Sequence, residues 1–348
     1  MAFAGFSARG CGSGSADLGR KRFGGGPRGC GSGTIAAMSD LRMLDPLYQP
    51  AEETAEGWCT RVHPGNTPQG GRDALAHHFL KEEAAAGGDP ERAREFADAA
   101  NLMDWEKHDE VTVLGHRYRI VRIERYVLFT GDEPEPPGPA DADPPRGPVG
   151  LGADSDPAPR AAGLKEEIAG VVPAGGPIPP EVTEDALVGS MAYPDLVTMP
   201  PDFQLLSKGR GDPGWRPMGQ EHATLEEARD ALRRFFENMV REDEEGSSLR
   251  PGVGDACRRE LRRWSEEDGP IDAADVLEHR FRVARVLRVV RVGFDGPEPP
   301  RASDPDPELP PAVLHLEAAE AGELSPDDAP VPPRPGPEAR RFLPGDSP

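Results

Sequence analysis

The stretch His116-Arg-Tyr-Arg-Ile-Val-Arg-Ile-Glu-Arg125 returns later in the chain as His279-Arg-Phe-Arg-Val-Ala-Arg-Val-Leu-Arg288. The segment after it returns at the same offset (279 − 116 = 295 − 132 = 163). Asp132-Glu-Pro-Glu-Pro-Pro137 answers to Asp295-Gly-Pro-Glu-Pro-Pro300, and Asp141-Ala-Asp-Pro144 to Asp304-Pro-Asp-Pro307. A gapless match with its arginines in register implies duplication. Upstream the offset becomes 157 (215 − 58). Gly57-Trp58 answers to Gly214-Trp215, Thr67 to Thr224, Arg72-Asp-Ala-Leu75 to Arg229-Asp-Ala-Leu232, and Phe79 to Phe236. The second copy is therefore longer by six residues (163 − 157), as an insertion in a loop or at a helix end would make it.

A unit of roughly 90–100 residues is far longer than the period of a solenoid or propeller, so two small domains are expected. With 41 Gly, 41 Pro and 36% hydrophobic residues in 348, much of the chain cannot belong to a packed core. The expected organisation is a disordered 1–37, a first repeat module over 38–133, a Pro/Gly-rich linker over 134–180, a second module over 181–307 and a disordered, Pro-rich acidic tail over 308–348. Met38-Ser-Asp-Leu-Arg-Met reads like an ordinary protein start, so 1–37 is expected to be dispensable.

A net charge of −22 argues against nucleic-acid binding, which needs a basic surface. Cys11, Cys30, Cys59 and Cys257 form no C-x-x-C and none stands at corresponding places of the repeats, so neither a disulfide framework nor a zinc site is expected. No apolar run approaches the ~20 residues of a membrane span. Arg20-Lys-Arg22 is followed by no apolar stretch of a signal peptide, and the expected location is cytoplasmic.

Within each copy the pattern reads β-β-α-α-β-β. Thr67-Pro68 sets an N-cap before a proline at the first helical position, and Thr224-Leu-Glu-Glu227 is a capping box at the aligned place. Leu75 and Phe79, and Leu232, Phe235, Phe236, Met239 and Val240, keep an apolar stripe at helical spacing. A second helix is expected over 90–105 and over 255–264. The segment 279–292 also fits a helix with its arginines on one side, but Val, Ile, Tyr and Phe dominate it and its counterpart, which favours strand. The fold class is α+β: two tandem related modules, each a helix pair packed on a small antiparallel sheet. Trp58, Trp105, Trp215 and Trp264 are read as structural, with Trp58 and Trp215 covering the apolar stripe of the helix that follows.

Gly-Trp, Arg-Asp-Ala-Leu, His-Arg-(Tyr/Phe)-Arg-(Ile/Val)-x-Arg-(Ile/Val) and the Gly-Pro-Glu-Pro-Pro-Arg-x-Ser-Asp-Pro-Asp of 296–306 together resemble an uncharacterised domain family of streptomycetes and related actinomycetes. The resemblance covers most of 40–310 and implies a lineage. It carries over no activity and no catalytic residue.

The candidate binding residues are the repeated His116, Arg119, Arg122 and Arg125 with His279, Arg282, Arg285 and Arg288. A row of guanidinium groups could hold phosphate or carboxylate. The plainer reading is a solvent face of a half-buried strand, its charge neutralised by nearby acids. His77-His78 points two ways on a helix, and Arg233-Arg234 stands in the second copy, so no shared metal site is expected. Pro330-Val-Pro-Pro-Arg-Pro335 resembles a polyproline ligand, though a Pro-rich tail generates such strings by composition. No nucleophile elbow or phosphate loop is present.

These readings point first to a non-enzymatic binding or scaffold protein that recognises a protein partner or pairs its two modules as an internal pseudo-dimer. No cofactor is implied. The alternative is a ligand-binding or hydrolytic module with a pocket in only one copy, around His116 and the arginine-bearing strand. A pocket with convergent Arg, His and acid side chains in one copy alone would select the alternative.

Overall fold

Prolines decide how the longest strands run. β1 (Asp40–Thr54) carries Asp45-Pro46 and β6 (Asp195–Gly209) carries Pro200-Pro201. A proline inside a ladder has no N–H to donate, so the chain bulges there and resumes pairing. The register of β1 with β4 (His116–Thr130) skips between Leu44 and Leu47, and that of β6 with β9 (His279–Gly293) between Met199 and Asp202. These bulges occupy matching places, since Leu44 lies opposite Arg125 and Met199 opposite Arg288.

The computed structural model describes residues 40–138, 141, 147–155, 159–169, 178–246, 250–266, 272–324 and 330–344. Each half has the expected element order. The first runs β1, β2 (Gly57–Thr60), α1 (Pro68–Ala85), α2 (Pro90–Trp105), β3 (Glu110–Val113) and β4, closed by the two-residue β5 (Glu133–Pro134). Two helices of the connection, α3 (Pro159–Ala169) and α4 (Pro180–Ala192), lead to the second half. That half runs β6, β7 (Arg216–His222), α5 (Leu225–Glu244), α6 (Val253–Glu266), β8 (Ala273–Val276), β9 and β10 (Gly296–Pro297), and α7 (Pro311–Ala321) follows. Residues 279–292 are strand. The expected caps form: Thr67 and Thr224 each accept from the N–H three residues on.

Two separate small sheets were expected, and the structure has one. All ten strands belong to a single antiparallel sheet whose central order is β2-β1-β4-β9-β6-β7. The halves join where β4 pairs with β9, from Ile123 opposite Val290 to Val127 opposite Val286, with Arg125 facing Arg288 at the middle. The reason lies in β4, where every residue of 118–129 is buried. A strand with both faces covered, left at the margin of a small sheet, would expose unpaired backbone beside a largely apolar surface. Pairing with β9 removes both edges together.

The helices lie on one face. Leu75, Phe79 and Phe96 pack on Tyr118 and Ile120 of β4, and Leu232, Phe236 and Trp264 pack on Phe281 and Val283 of β9. Between the helix pairs, Leu164 and Ile168 of α3 cover Tyr126, Leu128, Leu287 and Val289 across the seam. The expected disordered linker thus contains a helix that closes the core, built on the Leu164…Ile168 pair that interrupts its Pro/Gly composition. The expected disordered tail also contributes to the core: Ala339 and Phe342, in a 3-10 turn at Pro337–Phe342, are buried against α2 and β3. Asn101 Nδ2 donates to Pro333 O at 3.0 Å and Arg334 lies over the Trp105 ring, so the polyproline string is docked within its own molecule. Residues 1–37 lie outside those described.

The tryptophans stand differently from expectation. Trp105 and Trp264 are buried at the ends of α2 and α6. Trp215 packs not on α5 but on Leu44, Val127 and Phe129 of the first half together with Leu206, Ala284 and Val286 of the second. Trp58 is half-buried beside Met199, Val290 and Val292. Each indole therefore joins the halves.

Trp215→Ala opens a cavity in this shared cluster at a cost of about 3–5 kcal/mol. Limited proteolysis of the variant is expected to remove both halves at one rate. A surviving fragment spanning about residues 40–135 would show that the halves fold separately.

Candidate functional site

The repeated arginines are not a solvent face. Arg119, Arg122, Arg125, Arg288 and Arg291 are buried, and Arg282 and Arg285 are half-buried. A buried guanidinium is tolerated only with close acceptors. The acceptors come from the acidic, Pro-rich segment of the opposite half. Arg119 donates to Asp295 Oδ2 at 2.6 Å and to the Pro297 carbonyl, while Arg280 meets Asp132 and Glu133, and Arg282 meets Glu133 at 3.2 Å. Further along, Arg122 Nε pairs with Asp304 at 3.0 Å and Arg285 Nε with Asp141 at 2.8 Å. The backbone crosses as well: Arg122 N of the first half donates to Glu298 O of the second at 2.9 Å.

The tryptophans mark where these arms turn. Trp215 Nε1 donates to Asp132 O at 2.7 Å. At Gly296, φ is +108° and a Cβ would come within 2.5 Å of Trp58 Nε1, so only glycine fits. At the seam, Glu124 receives Arg122, Arg291 and Arg301 at 3.1 Å each, and their charges hold its carboxyl below the usual range against the opposing effect of burial. Arg125 donates to Asp45 O at 2.7 Å and Arg288 to Asp202 at 2.6 Å. The expected row of anion-binding arginines is thus engaged within the fold.

An open site lies elsewhere in the first half. A cleft of about 500 Å3 sits where the α1–α2 pair meets one end of the sheet. β1 supplies Glu52, in register with Tyr118, and β4 supplies His116 and Tyr118 two residues apart on one face. α1 supplies His78 and Glu82 one turn apart, and α2 supplies Arg92 and Phe96. Asp89, also at the rim, caps α2 by accepting from Glu91 N and Arg92 N.

Glu52 is the organising group. It is buried, and its two oxygens take Arg61 Nη2 at 2.5 Å and His116 Nδ1 at 2.8 Å. Arg92 pairs with Glu82 at 3.5 Å and lies over the Phe96 ring, and its side chain is half exposed. Burial lowers the pKa of His78 despite Glu82 and Glu52 nearby, so the ring stays neutral more readily than a free histidine. Burial, assisted by the same two acids, raises that of Tyr118, which remains a hydroxyl donor.

Among the described residues, the equivalent place in the second half is closed. By the offset of 157, His78 answers to Phe235 and Glu82 to Met239; by 163, Tyr118 answers to Phe281. His78 therefore stands opposite Phe235, and the Arg233-Arg234 pairing taken from the sequence was misplaced by one residue. Ring contacts survive the exchange, His78–Tyr118 at 5.9 Å and Phe235–Phe281 at 5.5 Å. Apolar side chains close the space, leaving about 20 Å3 among Phe235, Met239 and Phe281. His279 is turned to Arg250, which lies 3.0 Å from its Nε2.

Of the sequence candidates only His116 reaches the cleft. Glu52, Arg61, Glu82, Arg92 and Tyr118 were missed and His78 was weighed only as a metal ligand, although a position-by-position comparison of the halves exposes three of the six as polar-for-apolar differences. No group of His, Cys, Asp and Glu suited to a metal ion occurs among the described residues, and no helix there is long and apolar enough to cross a membrane.

Fold and cleft define an α+β protein on one antiparallel sheet with a polar cleft in one half. The chain belongs to a family of unknown function (DUF5954), which matches residues 33–307. That single match spans both halves and ends just past the Asp304–Arg122 contact. No curated protein and no solved structure matches the chain.

The lowered pKa of His78 has a sign. The unfolded chain, with histidine near its ordinary 6.5, takes up a proton before the folded one. The stabilisation is complete above that value and is lost as pH falls through the folded pKa. His78→Phe, which copies Phe235, is expected to flatten the decline in denaturation midpoint between about pH 7.5 and 5.5. An equal decline in both proteins would contradict the burial of a neutral His78.

Proposed function

We propose that this chain is a small-molecule-binding protein, formed by tandem fusion of two copies of one α+β unit into an internal pseudo-dimer, whose ligand enters the cleft of the first half. Supporting the fusion, Arg125 and Arg288 are equivalent by the repeat offset (288 − 125 = 163) and also face each other in the ladder. Neighbours exchange about that point: Tyr126 faces Leu287 and Glu124 faces Val289. Two-fold homodimers pair in this self-complementary way. The crossed arms are reciprocal in the same sense.

One observation carries the binding reading: the cleft is open and polar in one half, while its counterpart is filled by Phe235, Met239 and Phe281. Features that hold the fold occur in pairs, whereas the cleft does not. A pure scaffold reading has less support, because the matched apolar faces of the halves are consumed between them. Arg92, loosely held, and Arg61 fit a small polar ligand with an anionic group. The resemblance noted in the sequence supports an actinomycete lineage.

The test is thermal denaturation of the full chain with a panel of carboxylic acids, phosphorylated metabolites and amino acids at millimolar concentration. A ligand at a hundred times its Kd adds about 2.7 kcal/mol, so at least one class is expected to raise Tm. The double variant His78→Phe/Glu82→Met, which copies the closed half, is expected to fold and to lose that response. No response in the original chain, or an equal one in the variant, would sink the reading.

A further inference from the structure

We infer that His116 is a general base, and that the cleft hydrolyses small esters; this rests on the binding reading just given. Three features of the geometry converge. His116 Nδ1 lies 2.8 Å from the buried Glu52 Oε1; a carboxylate that close favours the proton on Nδ1, which leaves the Nε2 lone pair to the cleft. Among the described residues no hydrogen bond engages that Nε2, and the side chain is 58% exposed. Two residues along the same face, the Tyr118 hydroxyl lines the cleft as a donor kept protonated by its surroundings.

The second half supplies an internal comparison. Glu52 answers to Ser207 (199 − 44 = 207 − 52 = 155, the offset of the facing strands), so the facing strand supplies a serine where the first half has its carboxylate. His279 Nε2 lies against Arg250, and Phe281 replaces the tyrosine. The carboxylate and the tyrosine are exchanged together, while the histidine, Trp58/Trp215 and the arginines remain paired.

Among the described residues no Ser, Thr or Cys lines the cleft, so water is taken as the attacking group rather than a side-chain nucleophile. His116 Nε2 takes a proton from water as the water oxygen bonds to the ester carbonyl carbon, with Tyr118 donating to the carbonyl oxygen. The ester C–O bond then breaks, and the proton on Nε2 passes to the departing alkoxide. Acid and alcohol result, without redox change or cofactor. Attack by water on general-base assistance, with no covalent intermediate, suits esters with a good leaving group.

The test uses the full chain and p-nitrophenyl acetate. General-base catalysis is worth about 10²–10⁴-fold, so His116→Gln is expected to lower kcat/KM at least tenfold, and His279→Gln to leave it unchanged. Glu52 acts through His116 as a positioning residue. Glu52→Gln is expected to lower kcat with KM little altered, where a merely structural role would act through loss of folded protein, monitored by circular dichroism. Should Glu52→Gln fail to fold, carbethoxylation by diethyl pyrocarbonate gives a second reading: His116 is expected to react faster than His279. Equal hydrolysis by the original chain and His116→Gln, or His116 reacting no faster than His279, would overturn the inference. Ligand-dependent stabilisation without hydrolysis would remove the catalytic claim and leave the binding reading standing. Hydrolysis that depends on His116, with no stabilising ligand in the panel, would do the reverse.

Discussion

The structure turns on the burial of arginine in the middle of a sheet. Pairing β4 with β9 brings Arg125 opposite Arg288 and covers both faces of each strand. Guanidinium groups removed from water are costly unless their donors are met, and breaking one such pair costs about 3–5 kcal/mol. Acids on the same strands are too few. The carboxylates arrive on the segments after β4 and after β9, each crossing to the opposite half. Charge compensation and topology are therefore one requirement: the halves cannot part without stripping the arginines of both.

The same requirement explains what the sequence could reveal. Element order, the two capped helix starts and strand at 279–292 were legible because they rest on local chemistry: Thr67 and Thr224 as caps, Val and Ile alternation in the strands, Gly115 in the tight turn. The single sheet was not legible. A strand buried on both faces and one buried on a single face differ in what lies across them, and arginine at every second or third place looked like a wet surface. The repeated Asp132/Asp295 and Asp141/Asp304 were visible as a motif, but the acids were read as neutralising the arginines of their own copy, since nothing local shows that an acidic arm binds in the other half.

Proline-rich composition misled at three further places for one physical reason. Few apolar residues suffice when they are well placed. Leu164 and Ile168 close the seam, Phe342 closes the first core, and Arg334 lies over Trp105. The cleft was missed for a different reason. Its residues are spread over β1, β4, α1 and α2, and only Glu52, a glutamate of no evident pattern, draws Arg61 and His116 together. The repeat held the best signal, a difference between the copies rather than a likeness. His78 and Phe235, and Tyr118 and Phe281, occupy equivalent positions with unlike chemistry.

Native-state hydrogen exchange of the full chain, followed across a denaturant series, tests the mutual dependence of the halves most directly. Amides of β4 and β9 at the seam, together with those of α1 and α5, are predicted to converge on one opening free energy equal to that of global unfolding. Separate convergence, with one half exchanging through an opening that leaves the other protected, would contradict the account.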